Sequence, residues 1–124
     1  MKYKIGQGID VHQLVAGLPL IIGGVSIPYS KGSKGHSDGD VLYHSIVDAI
    51  LGALALGDIG QHFPSDDERW KDTPSQKFLE HAQYLMLEKG YVTVNIDATV
   101  VIQEPRLLSY ISAMRENIAR VLSI

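Results

Sequence analysis

Apolar residues change their spacing at Asp40, and this change sets the order of the elements along the chain. Before Asp40, short apolar runs are interrupted by glycine and proline, as is typical of strands and tight turns. After it, six apolar residues fall mainly on one face of a helix: Val41, Ile46, Val47, Ile50, Leu51 and Leu54. The sequence therefore predicts strands followed by a helix from Asp40, with Ser37, Asp38 or Asp40 as its N-cap.

The part of the chain before Asp40 predicts a strand, a hairpin and a loop. Residues 3–12 alternate in polarity and contain Gly6 and Gly8, which indicates a strand whose backbone passes close to another group. Gly23-Gly24 lies between two short apolar runs, the pattern of a tight hairpin. Residues 29–39 are rich in glycine, serine, lysine and aspartate, and they predict a polar loop.

A second helix is predicted after another polar loop, residues 57–67. The run Thr73-Pro74-Ser75-Gln76 combines an N-cap, a proline at the first helical position and a capping-box glutamine. This helix is expected to extend to about Glu88 or Lys89, because Gly90 follows as a C-terminal stop.

The end of the sequence predicts one more strand and one more helix. Residues 91–103 are rich in β-branched side chains and predict a long strand that Pro105 ends, and residues 107–121 predict the helix. The fold class is therefore α+β, with two layers, a mixed β-sheet and helices packed on one face. At 124 residues, the chain fits a single domain, residues 1–124.

Composition excludes several classes of function. The net charge of -3 provides no basic stripe for nucleic acid, and the absence of cysteine excludes disulfides, thiolate zinc sites and cysteine nucleophiles. No stretch is long and apolar enough to span a membrane. The first residues run directly into the strand pattern without a secretory or transit peptide, so a cytoplasmic location is expected.

Asp10 and His12 are separated by one residue in the predicted first strand. Because strand side chains alternate, the two face one side and Val11 is expected to point into the core. His44, near the start of the first helix, is the candidate third ligand. One carboxylate and two imidazoles suit Zn²⁺ with an open position for water or a phosphate oxygen. The residues alone leave open the alternative that Asp10 and His12 end a strand and His44 lies on a solvated helix face.

The loop before that helix, residues 35–40, is a candidate anion site. Small residues and a helix N-terminus offer free backbone N–H groups, and His36 and Ser37 add side-chain donors. Asp38 and Asp40 argue against a bare phosphate site unless they cap the helix or orient His44. A simple capping turn is the alternative interpretation.

A second candidate loop contains Gly57-Asp58-Ile59-Gly60. Its two glycines bracket Asp58 and suggest backbone shaped around a ligand, with a carboxylate that can accept hydrogen bonds from hydroxyl groups. The alternative is a loop that only terminates the first helix.

Taken in order, these runs resemble the 2-C-methyl-D-erythritol 2,4-cyclodiphosphate synthase family. The match is collinear over essentially all 124 residues. The residues that carry it are Gly8-Ile9-Asp10-Val11-His12, Ile22-Gly23-Gly24-Val25, Ile27-Pro28-Tyr29, His36-Ser37-Asp38-Gly39-Asp40, His44, Gly57-Asp58-Ile59-Gly60, Phe63-Pro64 and Asn95-Ile96-Asp97.

The resemblance implies a homotrimer of α+β subunits with active sites between neighbouring subunits. It implies that Asp10, His12 and His44 bind a divalent metal of the zinc type. It also implies that His36 is catalytic and, with Ser37, contacts the substrate phosphates and stabilises the transition state. A second ion, Mg²⁺ or Mn²⁺, is expected in the family.

The substrate residues implied by the resemblance fall into three groups. The first surrounds the metal, the second lines a methylerythritol pocket, and the third holds the cytidine end for an adjacent site. In chain order they are Asp10, Val11, His12, His36, Ser37, Asp58, Ile59, Gly60, Phe63, Pro64, Ser65, Asp66, Asp67, Ile102, Gln103, Glu104, Pro105, Arg106, Leu107 and Leu108.

The sequence also departs from the family pattern. Family members continue past the position of Ile124 with a strand, a loop and a helix, and these supply a transition-state threonine and the glutamate for the second ion. That segment is expected to be absent here. Gln7 and Ile9 stand where relatives often have histidine and phenylalanine, beside the metal strand and the trimer axis.

The implied reaction is intramolecular. The 2-phosphate of 4-diphosphocytidyl-2-C-methyl-D-erythritol 2-phosphate attacks the β-phosphorus of its own diphosphate and releases CMP. Two rival functions remain open: a metal-dependent phosphohydrolase that uses zinc-bound water, and a non-catalytic trimeric protein that binds diphosphate ligands. A hydrolase would need a base near the metal, for which the sequence offers Asp38, Asp40 and Asp48.

Overall fold

Four short strands precede all of the helices in residues 2–124. The structure, a computed structural model, describes residues 2–124. β1 (Leu14–Ala16) pairs antiparallel with β4 (Lys31–Ser33), so that Leu14 lies opposite Ser33. β2 (Leu20–Ile22) and β3 (Val25–Ile27) form the predicted hairpin. Because β4 lies inside residues 29–39, the prediction of a continuous loop there is wrong.

The hairpin turn is anchored to the first helix. Gly23 and Gly24 both have positive φ, +59° and +73°, a conformation that two-residue hairpin turns require and glycine adopts without steric cost. Their N–H groups donate to the two carboxylate oxygens of Asp40, at 2.9 Å and 2.7 Å. Asn117 Nδ2 donates to the carbonyl of Gly23 at 3.0 Å, which also joins the turn to the last helix.

Four α-helices follow the strands. They are α1 (Val41–Ala53), the short α2 (Ile59–His62), α3 (Ser75–Glu88) and α4 (Ile111–Leu122). α2 lies within the predicted loop 57–67, and 3₁₀ turns at Glu68–Trp70 and Leu108–Tyr110 precede α3 and α4. Within residues 2–124, none of the helices has the length and apolarity needed to cross a bilayer.

The helix starts confirm one capping prediction and correct another. Asp40 is the N-cap of α1 and accepts from the N–H of Tyr43 at 3.0 Å, as predicted. The capping box predicted for α3 is wrong, because Pro74 occupies the N-cap position without a side-chain hydrogen bond. The side chain of Ser75 is instead used in the contacts described below.

The core lies between the hairpin, α1, α3 and α4. α1 and α3 pack along each other, and the inward side chains of β2 and β3 close the layer. Its buried apolar residues are Leu20, Ile22, Ile27, Leu42, Tyr43, Ile46, Val47, Ile50, Leu51, Phe78, Leu79, Ala82, Met86, Met114 and Leu122.

The predicted strands at residues 3–12 and 91–103 are absent from the secondary structure. Within residues 2–124, both segments lack ladder partners, and the sheets present are two antiparallel pairs instead of one mixed sheet. The two segments lie on either side of a groove, and α1 forms its base. The groove contains two cavities, of about 870 Å³ and about 620 Å³. The residue types in these segments are typical of strands, but strand pairing depends on a partner that is distant in the sequence.

Candidate metal centre

Asp10, His12 and His44 meet beside the groove, and Asp10 and His12 line its smaller cavity. Asp10 and His12 come from the N-terminal segment, and His44 comes from the first turn of α1, where it is buried. The prediction that Asp10 and His12 share a side is confirmed, because both contact His44. The expected burial of Val11 is wrong, because this residue is 84% exposed.

Three ligand-type atoms, one from each side chain, converge on one point. Asp10 Oδ2 lies 2.7 Å from His12 Nε2 and 3.2 Å from His44 Nδ1, and the two imidazole nitrogens are 3.3 Å apart. Asp10 Oδ2 is nevertheless a buried atom without a properly oriented hydrogen-bond donor. Three such atoms around one point fit a shared cation, and one carboxylate with two imidazoles suits a divalent metal.

The pKa values of Asp10 and His12 are shifted in opposite directions, because the carboxylate and the imidazole stabilise each other's charged forms. Burial raises the pKa of Asp10, but contacts with His12 and His44 and the charges of those rings outweigh burial. The pKa of this carboxyl therefore lies well below its ordinary value. Close contact with Asp10 raises the pKa of His12, although desolvation of the ring opposes that change. A divalent ion at this cluster would therefore compete with the proton that Asp10 favours on His12.

The second nitrogen of each imidazole also has a partner. His12 Nδ1 lies 2.8 Å from the carbonyl oxygen of Lys34, which can only accept, so in the neutral ring Nδ1 carries the hydrogen and Nε2 keeps its lone pair. His44 Nε2 lies 2.7 Å from Ser75 Oγ and 3.1 Å from Ser37 Oγ. These contacts orient both rings toward Asp10.

The loop at residues 35–40 lies beside the cluster. One of its two aspartates caps a helix and the other helps to orient His44, the two roles considered for them above. Asp40 caps α1, and Asp38 accepts hydrogen bonds from Ser75 next to His44. The helix N-terminus itself is not a free anion site, because the buried Asp40 carboxylate already occupies it. Any phosphate would therefore meet the side chains of His36 and Ser37 rather than this helix end.

The loop at residues 35–40 is fastened to the loop at residues 63–73. His36 Nε2 donates to the carbonyl of Asp67 at 2.9 Å, and the N–H of Asp72 donates to the carbonyl of His36 at 2.8 Å. Asp67 also forms an ion pair of 2.7 Å with Arg69. Two segments that the resemblance assigns to substrate thus lie in contact.

The loop around Asp58 is joined to α1 one turn beyond His44. Asp48 Oδ1 accepts from the N–H of Ile59 at 2.8 Å, and Asp58 caps α2 by accepting from Gln61 at 2.9 Å. Residues 48 and 44 share a helix face, so this loop lies on the side of α1 that carries the metal ligand. Phe63 packs on Trp70 and Phe78, with ring centroids 5.0 Å and 4.3 Å away, which anchors the loop to α3.

The segment at residues 102–108 is only partly joined to the cluster. Ile102 and Gln103 line the same cavity as Asp10, Val11 and His12. Residues 104–108 lie outside the residues that line that cavity and lead, through a cis Glu104–Pro105 peptide bond, into the turn before α4. Within this one chain, residues 104–108 therefore do not join the metal cluster.

Sequence reasoning missed Ser75 and the carbonyl of Lys34. Ser75 stands in a helix-start pattern, and its contact with His44 spans 31 positions of the sequence. A backbone carbonyl has no sequence signature at all. The sequence offers no local signal for Ser75, because its role depends on the packing of α3 on α1.

Comparisons with known proteins agree on one family. A family model described as the YgbB family matches residues 3–124. The 2-C-methyl-D-erythritol 2,4-cyclodiphosphate synthase of Bacillus subtilis (strain 168) is 56% identical over 117 residues, which are 94% of this chain and 74% of that protein. The synthase of Pelobacter propionicus (strain DSM 2379 / NBRC 103807 / OttBd1) is 58% identical over 119 residues, which are 96% of this chain and 75% of that protein. The chain thus spans about three quarters of the length of these relatives.

Solved structures give the same result. A bifunctional IspDF from Campylobacter jejuni superposes with a TM-score of 0.92 at 44% identity, over 98% of this chain and 33% of that one. A 2C-methyl-D-erythritol-2,4-cyclodiphosphate synthase in a bound form with CDP superposes with a TM-score of 0.82 at 35% identity, over 97% of this chain and 80% of that one. The arrangement of helices and short strands described above is therefore that of these enzymes.

Proposed function

The chain belongs to the YgbB family of 2-C-methyl-D-erythritol 2,4-cyclodiphosphate synthases, and from this premise we propose that it performs their cyclisation reaction. The substrate would be 4-diphosphocytidyl-2-C-methyl-D-erythritol 2-phosphate, converted to the 2,4-cyclodiphosphate and CMP in isoprenoid precursor biosynthesis. The observation that carries the proposal is the meeting of Asp10, His12 and His44 within 3.3 Å of one another in a chain of this family.

The proposed reaction exchanges one phosphorus–oxygen bond for another. An oxygen of the 2-phosphate bonds to the β-phosphorus, and the bond from that phosphorus to the bridging oxygen breaks, so the bridging oxygen leaves with CMP. The attacking group needs no strong base, since a phosphate monoester has a second pKa of about 6. The obstacle is repulsion, because two unit charges about 4 Å apart cost roughly 4 kcal/mol at an effective dielectric constant near 20.

The three clustered side chains would hold one divalent ion, and Zn²⁺ suits this donor set. When bound, the ion would offset phosphate charge and polarise phosphorus. Asp10 contributes the only negative charge among the three ligands, so the site keeps a net positive charge toward phosphate. The resemblance also leads us to expect a second ion, Mg²⁺ or Mn²⁺, although no further group of three potential ligands occurs in residues 2–124.

His36 and Ser37 would contact the phosphates from the side of the loop. Ser37 Oγ accepts from the N–H of Gly39 at 3.4 Å, and its hydrogen, which faces Ser75 Oγ at 3.5 Å, would turn to a phosphate oxygen when substrate binds. The bond from His36 to the carbonyl of Asp67 fixes the plane of the imidazole, and a proton on Nδ1 would let the ring act as a cation toward the transition state. A substrate held in a folded-back conformation also loses less entropy on the way to cyclisation.

The remaining substrate contacts follow from the same premise. Residues 58–60 and 63–67 would line the methylerythritol pocket, and the hydrogen bond from Ile59 to Asp48 supports their position beside α1. Residues 102–108 would hold the cytidine end for a neighbouring subunit, which is consistent with the absence of residues 104–108 from the lining of the cavity beside this chain's own cluster. The CDP in a similar solved structure supports a cytidine-diphosphate-linked substrate.

A homotrimer with shared active sites is part of the proposal. Ile9, Val11 and Val101 line the groove and are 74%, 84% and 93% exposed in the single chain. A contiguous set of exposed apolar side chains favours burial against another protein surface. Association of identical chains on this side would cover these residues and bring a neighbour close to the metal ligands.

Direct turnover tests the function. Purified protein is incubated with the substrate and Zn²⁺ plus Mg²⁺, with CMP followed by chromatography and phosphorus products followed by ³¹P NMR. We expect CMP and a cyclic diphosphate in equal amounts. Release of inorganic phosphate would indicate a hydrolase, and binding without any product would indicate a non-catalytic binding protein. Either result would reject the proposal.

A further inference from the structure

Ser75 contacts His44 at the nitrogen that faces away from the other two ligands. Its side chain is fully buried at the first residue of α3, and its Oγ lies 2.7 Å from His44 Nε2. The opposite ring nitrogen, Nδ1, lies 3.2 Å from Asp10 Oδ2. The ring is thus held between a serine hydroxyl on one side and the ligand cluster on the other.

The direction of the hydrogen bonds follows from the number of hydrogens available. Asp38 Oδ1 forms a close hydrogen bond with Ser75 Oγ, and Asp38 Oδ2 accepts from the backbone N–H of Ser75 at 2.9 Å. A carboxylate has no hydrogen to give, so the single hydroxyl hydrogen of Ser75 must point at Asp38. The serine oxygen can then only accept from His44, which places the ring hydrogen on Nε2.

We infer that Asp38 and Ser75 are positioning residues that hold His44 in the Nε2–H tautomer, which leaves the Nδ1 lone pair directed at the metal. The inference deepens the proposed function, because it rests on the metal site placed at Asp10, His12 and His44. The free protein then already contains the ring in the metal-binding tautomer and orientation. The ion does not have to stabilise a less populated tautomer when it binds.

Asp38 is itself fixed by both helices that carry the site. Its Oδ1 accepts from the backbone N–H of Asp40, the N-cap of α1, at 3.1 Å, while its contacts with Ser75 reach the start of α3. Ser37 Oγ lies 3.1 Å from the same His44 nitrogen and provides a second, weaker acceptor. The packing of α1 on α3 thereby determines which nitrogen of His44 faces the metal.

Metal affinity tests the inference without recourse to activity. Zn²⁺ binding to metal-free protein is measured by calorimetry and by competition with a chromophoric chelator. We expect Ser75→Ala to weaken binding by about 10- to 100-fold, the usual effect of removing a partner of a metal-bound imidazole. Ser75→Thr keeps the hydroxyl and should restore most of the affinity. Ser109→Ala, at an exposed serine before α4, is the matched control and should bind as the unchanged protein does.

A spectroscopic measurement examines the tautomer itself. In ¹⁵N-histidine-labelled, metal-free protein at alkaline pH, where the rings are neutral, His44 should show a protonated Nε2 and an unprotonated Nδ1. Ser75→Ala should mix the two tautomers. A protonated Nδ1 in the unchanged protein would overturn the inference, as would unchanged Zn²⁺ affinity in a folded Ser75→Ala variant.

The two proposals fail in different ways. Absence of Zn²⁺ binding by the unchanged protein would reject the metal site. Normal binding with the other His44 tautomer would reject only the positioning role of Asp38 and Ser75. If Ser75→Ala does not fold, the spectrum of the unchanged protein still decides the question.

Discussion

At the scale of single residues, His12 is the side chain whose loss should separate metal binding from folding. His12→Ala removes one of three ligands, and its ring, although only 14% exposed, lies outside the apolar core, so little core packing is lost. We expect elemental analysis to find no bound zinc after dialysis, while thermal unfolding of the metal-free variant matches that of the metal-free parent. His62→Gln, at an imidazole outside the cluster, should retain the metal. Full zinc content in His12→Ala would remove this residue from the site.

His81 should make the fold sensitive to mild acid. Burial, assisted by the nearby ring of His62, lowers the pKa of His81 below its ordinary value, so the folded state favours the neutral ring. The stability that depends on the neutral ring is complete above the unfolded pKa of about 6.5 and is lost as pH falls through that value. In urea unfolding with chelator present, His81→Gln should lose less stability between neutral pH and about pH 5 than the parent does. An unchanged pH profile would contradict this, and Gln76→Ala on the same helix provides the control.

Single residues also show how far the sequence determines the site. Asp10 and His12 could be paired because strand alternation is local, and His44 could be added because it begins a recognisable helix. Val11 was misplaced, since alternation says that it faces the other side but not whether that side is buried. Ser75 was missed because only the packing of α3 on α1 brings it to His44.

At the scale of elements, Asp40 joins the hairpin between β2 and β3 to the start of α1. Its carboxylate accepts three backbone N–H groups, from Gly23, Gly24 and Tyr43, and the residue is fully buried. Asp40→Ala leaves these donors without partners, and we expect a loss of at least about 3 kcal/mol in the free energy of unfolding. Chemical denaturation measures this loss. Asp97→Ala, at an exposed aspartate, should change stability little, and a similar result for Asp40→Ala would contradict the role given to this carboxylate.

Gly8 determines how closely the N-terminal segment approaches α1. A Cβ at this position would lie 1.9 Å from the carbonyl oxygen of Ser45, which neighbours His44, so Gly8→Ala must push the segment away from the helix. Asp10 and His12 would move with the segment, and we expect weaker Zn²⁺ binding although every ligand is still present. Calorimetric titration measures the effect.

Gly52 in α1 provides the control for Gly8, because a Cβ there meets nothing within 4 Å. Gly52→Ala should leave metal affinity unchanged and increase helix stability by up to about 1 kcal/mol. Equal metal affinity in Gly8→Ala and Gly52→Ala would show that the close approach of the segment does not control ligand spacing.

The elements that the sequence predicted correctly are those with local signals. The Gly23-Gly24 hairpin, the Asp40 cap and the end of α3 near Gly90 each depend on a few adjacent residues. The pairing of residues 3–12 and 91–103 could not be predicted, because a β-branched pattern does not identify its partner. The predicted α+β class is still correct, because the class depends on the presence of helices and strands rather than on which strands pair.

At the scale of the whole molecule, self-association should depend on the exposed apolar side of the groove. Ile9→Lys combined with Val101→Lys places two charges on this surface, and we expect sedimentation equilibrium to show a shift from the proposed trimer toward monomer. Tyr84→Lys on α3, where the tyrosine is 57% exposed, is the matched control and should remain trimeric. A double variant that is still trimeric would place the subunit contact elsewhere.

The N-terminal segment lacks ladder hydrogen bonds within residues 2–124, yet it supplies two of the three ligands at the cluster. An ion shared by Asp10, His12 and His44 would therefore act as a reversible cross-link between the beginning of the chain and its first long helix. Such a link closes a long loop and reduces the conformational freedom of the unfolded chain, much as a disulfide does in proteins that contain cysteine. A chain without cysteine would thus gain through coordination chemistry a constraint that it cannot obtain through sulfur.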